Sequence, residues 1–427
     1  MNVMENARTT PFWWKEAPRQ PLSSVDLPSK VDVAIVGSGY TGMSAALTLS
    51  RAGRSVLVLE SGDIGHGAST RNGGQVGADY KTVLDRFKVN QDNAKQQAAH
   101  AQRWASYDYL THLIESEGIH CQFENVGRFV GAFKPQDYDM MARDLESARA
   151  NLGVEGYPVS RGEVHNELGT ERYHGGIVLP REGALHPGLL HQGMVDRATA
   201  GDTTLAPQTT VRGVEKSGSE FKVETTRGTV TARNVLIATN GYTRDATPAL
   251  RRGVIPVGSY MIATNEVDPA VMARIMPKGR VNSDSRKVVF YYRASHDRRR
   301  VLIGGRVVSG DVDEHLSGQR LHTVLADIFP DLAGVGVSHS WMGFVAYTFD
   351  HKAHHGVRDG IHYAMGYCGG GVHQATYFGH CAAQHIIGEG KAGIDPSALP
   401  TRPFYWGTPW FVPLAVMRYK ITDRWGI

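Results

Sequence analysis

The chain has 427 residues, 41% of them hydrophobic and 21% charged, which describes an ordinary globular enzyme too long for one simple core. Its 46 Lys and Arg against 42 Asp and Glu leave a formal charge of only +4. The basic run Asp297-Arg298-Arg299-Arg300 is short and accompanies no recognition motif, which argues against a nucleic-acid partner.

In chain order, residues 1–21 show no cationic start followed by an apolar run and a small-residue cleavage site, so no secretory signal is expected there. No apolar run is long enough to cross a bilayer, so no transmembrane segment is expected. Cys121, Cys368 and Cys381 have no paired spacing and read as free thiols in a reducing, cytoplasmic setting.

Residues 31–36 form a short β-branched apolar run, the pattern of a buried parallel strand. Gly37, Gly39 and Gly42 follow in G-x-G-x-x-G spacing, and apolar residues then recur at helical spacing from 40 to 51, with Gly53 closing the helix. A second strand at 55–59 ends on Glu60. Gly37 permits the tight turn, Gly39 admits a pyrophosphate to the backbone, and Gly42 lets helix and strand pack closely. Tyr40 and Thr41 open a helix whose free amides favour phosphate. Glu60, with Ser61 beside it, is placed to accept hydrogen bonds from an adenosine ribose. These residues predict a dinucleotide site.

The pattern alone does not separate NAD from FAD; three later segments do. In the first, Ala68, Ser69, Arg71, Asn72, Gly73, Gly74 and Gln75 set small residues and backbone amides beside a ring system, with Arg71 and Asn72 able to reach phosphate or flavin. In the second, a β-meander from about Val211 leads to a strand returning to the sheet, followed by Ala238, Thr239, Asn240 and Gly241. In the third, a strand at 361–365 runs into Gly369, Gly370 and Gly371, then a helix from about Val372. The N-terminus of that helix can stabilise negative charge on a reduced flavin.

Together these segments resemble the FAD-dependent amine oxidases of the D-amino-acid oxidase superfamily, glycine and sarcosine oxidases included, with the nearest likeness to bacterial γ-glutamylputrescine oxidases. The likeness is carried by VAIVGSGYTGMSAALTLSRAG, IGHGASTRNGGQV, ERYHGGIVLPREGALHPGLL, VLIATNGYT, VFYYRASHDRRRVLIGGRVV, SWMGFVAYTFDHKAHHG and GYCGGGV, spread from 31 to 387, and by the aromatic tail. The resemblance implies an α/β architecture: a Rossmann-type FAD-binding domain (1–75, 206–252, 342–427) interleaved with an α+β antiparallel-sheet substrate domain (76–205, 253–341). The family's attachment residues are missing, since Gly343 stands where sarcosine oxidases carry a flavin-bonding cysteine and no histidine lies in STRNGG. The FAD is therefore expected to be non-covalent. Gly370 replaces a usual histidine, leaving space, and His373 stands where sarcosine oxidases have a lysine for the substrate carboxylate.

The implied reaction is oxidation of a C–N bond in a primary or secondary amine (γ-glutamylated, N-alkylated or an amino acid) by hydride transfer to flavin N5. Imine or aldehyde and H2O2 are the products, with molecular oxygen as acceptor. His373, Tyr292, Trp341 and Arg306 are the expected catalytic and cavity residues. Tyr291 and Tyr292 alternate on a strand, so one faces the flavin and the other the helices. Arg306 meets an anionic substrate group or a surface acid, and Trp341 is pocket wall or core. In the run from Asp350 to His355, spacing argues against a metal and leaves His351 or His354 as polar cavity residues. Cys368 reads as buried filler or a reactive thiol, and the tail 404–425 as docked on its own domain, a partner subunit or a membrane. Two alternatives stay open. One is a 2-hydroxy-acid or glycerol-phosphate type dehydrogenase with a membrane acceptor and His373 as base; the other is a flavin-bound regulatory protein. The sequence leaves oligomeric state undecided.

Overall fold

The computed structural model describes residues 2–18, 25–84, 93–306, 312–388 and 396–425. Val307–Val308, the end of one quoted segment, and residues 426–427 beyond the aromatic tail lie outside them.

Two eight-stranded sheets dominate. The first begins with β1 (Lys30–Val36), whose Val33, Ala34 and Ile35 are fully buried, as expected for a strand covered on both faces. Its neighbours are β2 (Val56–Leu59) and β11 (Gly228–Ile237), continuing to β8 (Thr203–Ala206) on one side and β18 (Ile361–Met365) on the other, all parallel. β17 (His354–Arg358) closes one edge antiparallel to β18. β9 (Val211–Ser217) and β10 (Glu220–Thr225) form an antiparallel meander with β11. Helix α1 (Tyr40–Arg51) follows β1 at the predicted limits and packs on α10 (Gly371–Ile387). Gly42 allows this turn, since a Cβ there would lie 2.0 Å from the Gly37 carbonyl oxygen, while Gly37 sits at φ +105°.

The second sheet runs β16 (Val337–Tyr347), β12 (Ile255–Thr264), β15 (Val301–Gly305), β14 (Phe290–Ala294), β13 (Val281–Asp284), β4 (Arg128–Gly131), β6 (Gly176–Leu179), β5 (Tyr157–Val159). Its pairings are antiparallel except β13 with β4. Alternation divides its faces: Tyr260, Ile262 and Tyr292 pack with Leu321, Leu325 and Ile328 of α9 (Glu314–Ile328), while Met261, Ala263 and Tyr291 face the other way. Short helices α5 (Val164–Glu167), α7 (Pro248–Arg251) and α8 (Pro269–Ile275) fill connections.

The expected segment limits need correction in three places. The limit at 342 falls inside β16. Helices α3 (Asn93–Ser116) and α6 (Pro187–Thr199), expected with the second sheet, contribute Tyr107, Leu110, Leu190 and Met194 to the same core as α1 and α10. The N-terminal stretch, expected with the first sheet, buries Met4, Phe12 and Trp13 against the second.

The two sheets are joined by a two-stranded ribbon, β3 (Gln75–Gly77) with β7 (Glu182–Ala184). Glu182 is fully buried and bonds Arg128 Nε at 2.5 Å, while accepting the Tyr80 amide at 2.7 Å. Tyr80 opens α2 (Tyr80–Val83). A further helix, α4 (Pro135–Leu152), covers β6 from outside. Removing one partner of a buried ion pair strands the other charge. Arg128→Met should therefore cost about 3–5 kcal/mol in denaturant unfolding, and adding Glu182→Gln should recover most of it. A single variant as stable as the parent would contradict this account of the ribbon.

Candidate active site

The chain turns sharply at Gly37 and sends the N-terminus of α1 toward a cavity of about 1340 Å³, larger than the ~300–1,000 Å³ of a typical small-molecule site. Gly37, Gly39, Tyr40 and Thr41 line it, as do Glu60, Ser61 and Val211. Ala238, Thr239 and Asn240 line it from the end of β11. Glu60 Oε2 accepts from the Ser38 amide at 3.1 Å and the Ser38 hydroxyl at 2.7 Å; Oε1 accepts from Gly62 N. The acid therefore shapes the phosphate turn as well as facing the cavity. The side chains of Tyr40 and Thr41 are taken up by the protein, bonding the Pro187 carbonyl and the Tyr367 hydroxyl.

Residues 68–75 lie beside this turn, with Ser69 against Gly39 and Tyr40. Ala68, Ser69, Arg71, Asn72, Gly73 and Gln75 line it, while Gly74 is packed away, its missing Cβ 2.2 Å from the Leu185 carbonyl oxygen. The loop is held from behind by donors. Trp13 Nε1 bonds the Asn72 carbonyl at 2.8 Å, Trp341 Nε1 the Arg71 carbonyl at 2.8 Å, and Arg293 the Gly74 and Leu185 carbonyls at 3.1 and 2.8 Å. Trp14 Nε1 bonds Thr70 Oγ1 at 3.0 Å and stacks under the Arg71 guanidinium.

This corrects the expectation for Arg71 and Asn72. Arg71 bonds the His66 and Met342 carbonyls, and Asn72 bonds the Ala68, Ser69 and Gly74 backbone, so both side chains stabilise the loop. Ser69 Oγ accepts the Tyr40 amide at 2.9 Å. Gln75 is fixed by Arg128 at 2.8 Å. Gly241, like Gly74, does not line the cavity; Phe344 packs where its side chain would be.

Trp341 and Tyr292 also need correction. Trp341 is fully buried behind the loop it anchors, outside the cavity lining. Tyr292 faces α9, with its hydroxyl on Tyr173 at 2.9 Å. Tyr291 is the cavity tyrosine: it contacts Gly73, and its hydroxyl lies 3.2 Å from Ser259 Oγ. Arg306 lines the cavity at the end of β15 with Nη1 on the Gly258 carbonyl. His351 lines it too, whereas His354 is buried between Asp350 and Ser397, and among the described residues no metal-binding cluster is present. Cys368 is a buried filler with its thiol on the Gly366 carbonyl, and burial pushes its pKa up.

The far wall is Gly343, Gly369, Gly370, Gly371, Val372 and His373. The space expected at Gly370 is occupied: a Cβ there would lie 3.2 Å from Lys81 Nζ, which donates to the Cys368 carbonyl at 2.6 Å and the Tyr367 carbonyl at 3.3 Å. Nothing in the sequence marks Lys81 for this place, because it comes from α2, far along the chain from the glycine turn. Desolvation lowers its pKa to about 8, yet it remains mostly cationic at neutral pH. His373 lies buried beside it with neither ring nitrogen bonded by the described residues. Desolvation first, then Lys81 and Arg103, push its pKa down to about 3. A neutral imidazole still needs an acceptor for its one N–H.

These features fit FAD: a helix N-terminus behind the glycine turn, a wall at Gly39 where a Cβ would meet Ser69 Oγ at 2.8 Å, and an orphaned imidazole deeper in the same cavity. Fold and site thus define a dinucleotide-dependent oxidoreductase. The comparisons carry this further: residues 32–385 match the family model described as FAD dependent oxidoreductase, and the chain belongs to that family. It is 33% identical over 430 residues to the probable oxidoreductase OrdL of Rhizobium meliloti, covering 97% of each chain. It is 28% identical to the gamma-glutamylputrescine oxidoreductase of Escherichia coli, covering 95% of this chain and 96% of that one. The glycine oxidase structure from Geobacillus kaustophilus superposes with a TM-score of 0.71 at 21% identity, over 89% of this chain and 99% of that one. The protein is an FAD-dependent oxidoreductase.

Gly39→Leu should abolish FAD binding while leaving the circular dichroism spectrum intact, since the clash is with a ligand and one serine side chain. Glu60→Ala should weaken FAD binding by about 1–3 kcal/mol, the scale of hydrogen bonds to a charged group. Unchanged affinity in both would remove the assignment of this crevice. Acid or heat denaturation should release intact FAD into the supernatant; flavin retained in the precipitate would show a covalent bond.

Proposed function

We propose that this chain oxidises the C–N bond of a primary or secondary amine that extends beyond its reacting carbon to a polar or anionic group, such as a γ-glutamylated or N-alkylated amine. Bound FAD supplies the two-electron acceptor for the hydride on the carbon next to nitrogen. The product is an imine, which water hydrolyses to a carbonyl compound, and molecular oxygen takes the electrons to give H2O2. Gly37, Gly39, Glu60 and the loop 68–75 would hold the cofactor. The name of the Escherichia coli relative supports the extended amine, and that of the Geobacillus relative supports oxidation of an amine carbon more generally.

The observation that carries this reading is the state of His373. Oxidising an alcohol calls for a base to take the hydroxyl proton. His373, the base on which the hydroxy-acid alternative depends, is buried with neither ring nitrogen bonded by the described residues, and burial together with Lys81 and Arg103 disfavours its taking up a proton. An amine brings its own lone pair. An aliphatic ammonium has a pKa near ~10, and only its neutral form can donate hydride. Desolvation in the cavity and the positive charge of Lys81 both disfavour the ammonium. Arg306 lines the cavity and would receive the distant anionic group, and Tyr291 and Ser259 line it as well.

The test is anaerobic stopped-flow flavin reduction at subsaturating amine from pH 6 to 9. The rate should rise with pH, and His373→Ala should keep that limb. At saturating amine, where the limb reports the bound substrate, Lys81→Met should move it to higher pH, each unit lowering the neutral-pH rate by roughly tenfold. A flat wild-type profile overturns the neutral-amine reading. So does activity confined to a hydroxy acid whose limb disappears in His373→Ala.

A further inference from the structure

Six of the nine exposed large hydrophobic side chains among the described residues fall between 404 and 421: Phe404, Trp406, Trp410, Leu414, Met417 and Ile421. They belong to the tail ending in α11 (Val412–Trp425). The tail is firmly seated. Val412, Val416 and Tyr405 pack with Ile255, Asp423 accepts the Lys287 and Val288 amides at 2.7 and 3.0 Å, and Lys134 bonds the Thr422 carbonyl. One face of α11 is thus taken up by the protein, and the same Val412 and Val416 wall the cavity.

The other face has a definite pattern. Leu414, Met417 and Ile421 repeat at i, i+3 and i+7, with Trp410 a turn earlier. At roughly 100° per residue, exposed Arg418 and Lys420 flank this stripe on opposite sides. Arg252 stacks on Trp406 at 4.2 Å, and Arg320 of α9 is close enough to repel Lys420. Between 402 and 423 the one acid is Asp423, already bonded to β14's approach.

From this we infer that α11 and the loop before it form an interfacial anchor that docks the enzyme on an anionic lipid bilayer. Indole and phenyl rings favour the headgroup boundary, aliphatic side chains the acyl edge, and flanking cations the acidic headgroups. A two-fold pairing of this face with a second copy would instead set its cations against one another, and the segment 402–423 brings no acid besides the already bonded Asp423. No helix among the described residues is long and apolar enough to cross a membrane, so the attachment is peripheral. Docking lays one wall of the cavity along the bilayer. This inference stands apart from the choice of substrate.

The test is co-sedimentation of FAD-loaded enzyme with vesicles of phosphatidylcholine alone or mixed with phosphatidylglycerol. The wild type should bind the mixed vesicles and release them in high salt. Arg418→Ala with Lys420→Ala should weaken that binding roughly 30-fold, at about 1 kcal/mol per cation. Leu414→Glu, Met417→Glu and Ile421→Glu together should abolish it with the flavin spectrum unchanged. Failure of the wild type to bind anionic vesicles overturns the inference, as does equal binding by the triple variant. A vesicle-free dimer that the triple variant dissociates would assign the face to a second copy and also overturn it.

Discussion

The carbonyl oxygens of Arg71 and Asn72 each accept an indole N–H at 2.8 Å, from Trp341 and Trp13, and the site is organised around that pair of bonds. The amides of Thr70, Arg71, Asn72 and Gly74 are bonded locally, so the carbonyls of Arg71 and Asn72 take their donors from other segments, and a buried carbonyl without a donor costs free energy. Here the donors come from β16 and from the N-terminal segment, with Arg293 serving Gly74. The loop between the two sheets is fixed by atoms belonging mainly to the second. The arrangement explains why Trp13, outside any strand, is buried against the second sheet and why Trp341 is conspicuous in sequence yet outside the cavity.

The second constraint concerns charge in the inner cavity. The lysine that the family resemblance places at 373 is a histidine here, and a cation returns from another direction as Lys81. Its Nζ fills the room left by Gly370, so two departures from the family pattern meet in space. Lys81 in turn helps keep His373 neutral. The cavity therefore presents a cation beside an unprotonated imidazole, a setting that disfavours ammonium and offers little basicity. That combination links the fold to the proposed oxidation of a neutral amine.

Local signals in the sequence are strongest where hydrophobic periodicity and glycine spacing coincide. The span of α1, the β9–β11 meander and the strand–turn–helix into α10 all follow from such patterns. Alternation correctly separates Tyr291 from Tyr292, but it cannot say which face of β14 meets the cavity; that depends on α9 covering the other face. Trp13 and Trp14 carry no periodic signal, since they act through single N–H groups on a loop about sixty residues away. Lys81 was hidden for the same reason, because its role arises only when α2 is brought against the glycine turn. The place of α3 and α6 beside α1 likewise depends on tertiary packing, not on their own composition.

Whether the cavity accepts an amine as electron donor separates the two chemistries. The direct measurement is anaerobic titration of the FAD-loaded enzyme with matched pairs, each an extended amine and the alcohol of the same skeleton, following flavin absorbance. The amine should bleach the flavin and, on admitting oxygen, yield peroxide, while its alcohol leaves the spectrum unchanged. Bleaching by the alcohols and not by the amines would contradict the account.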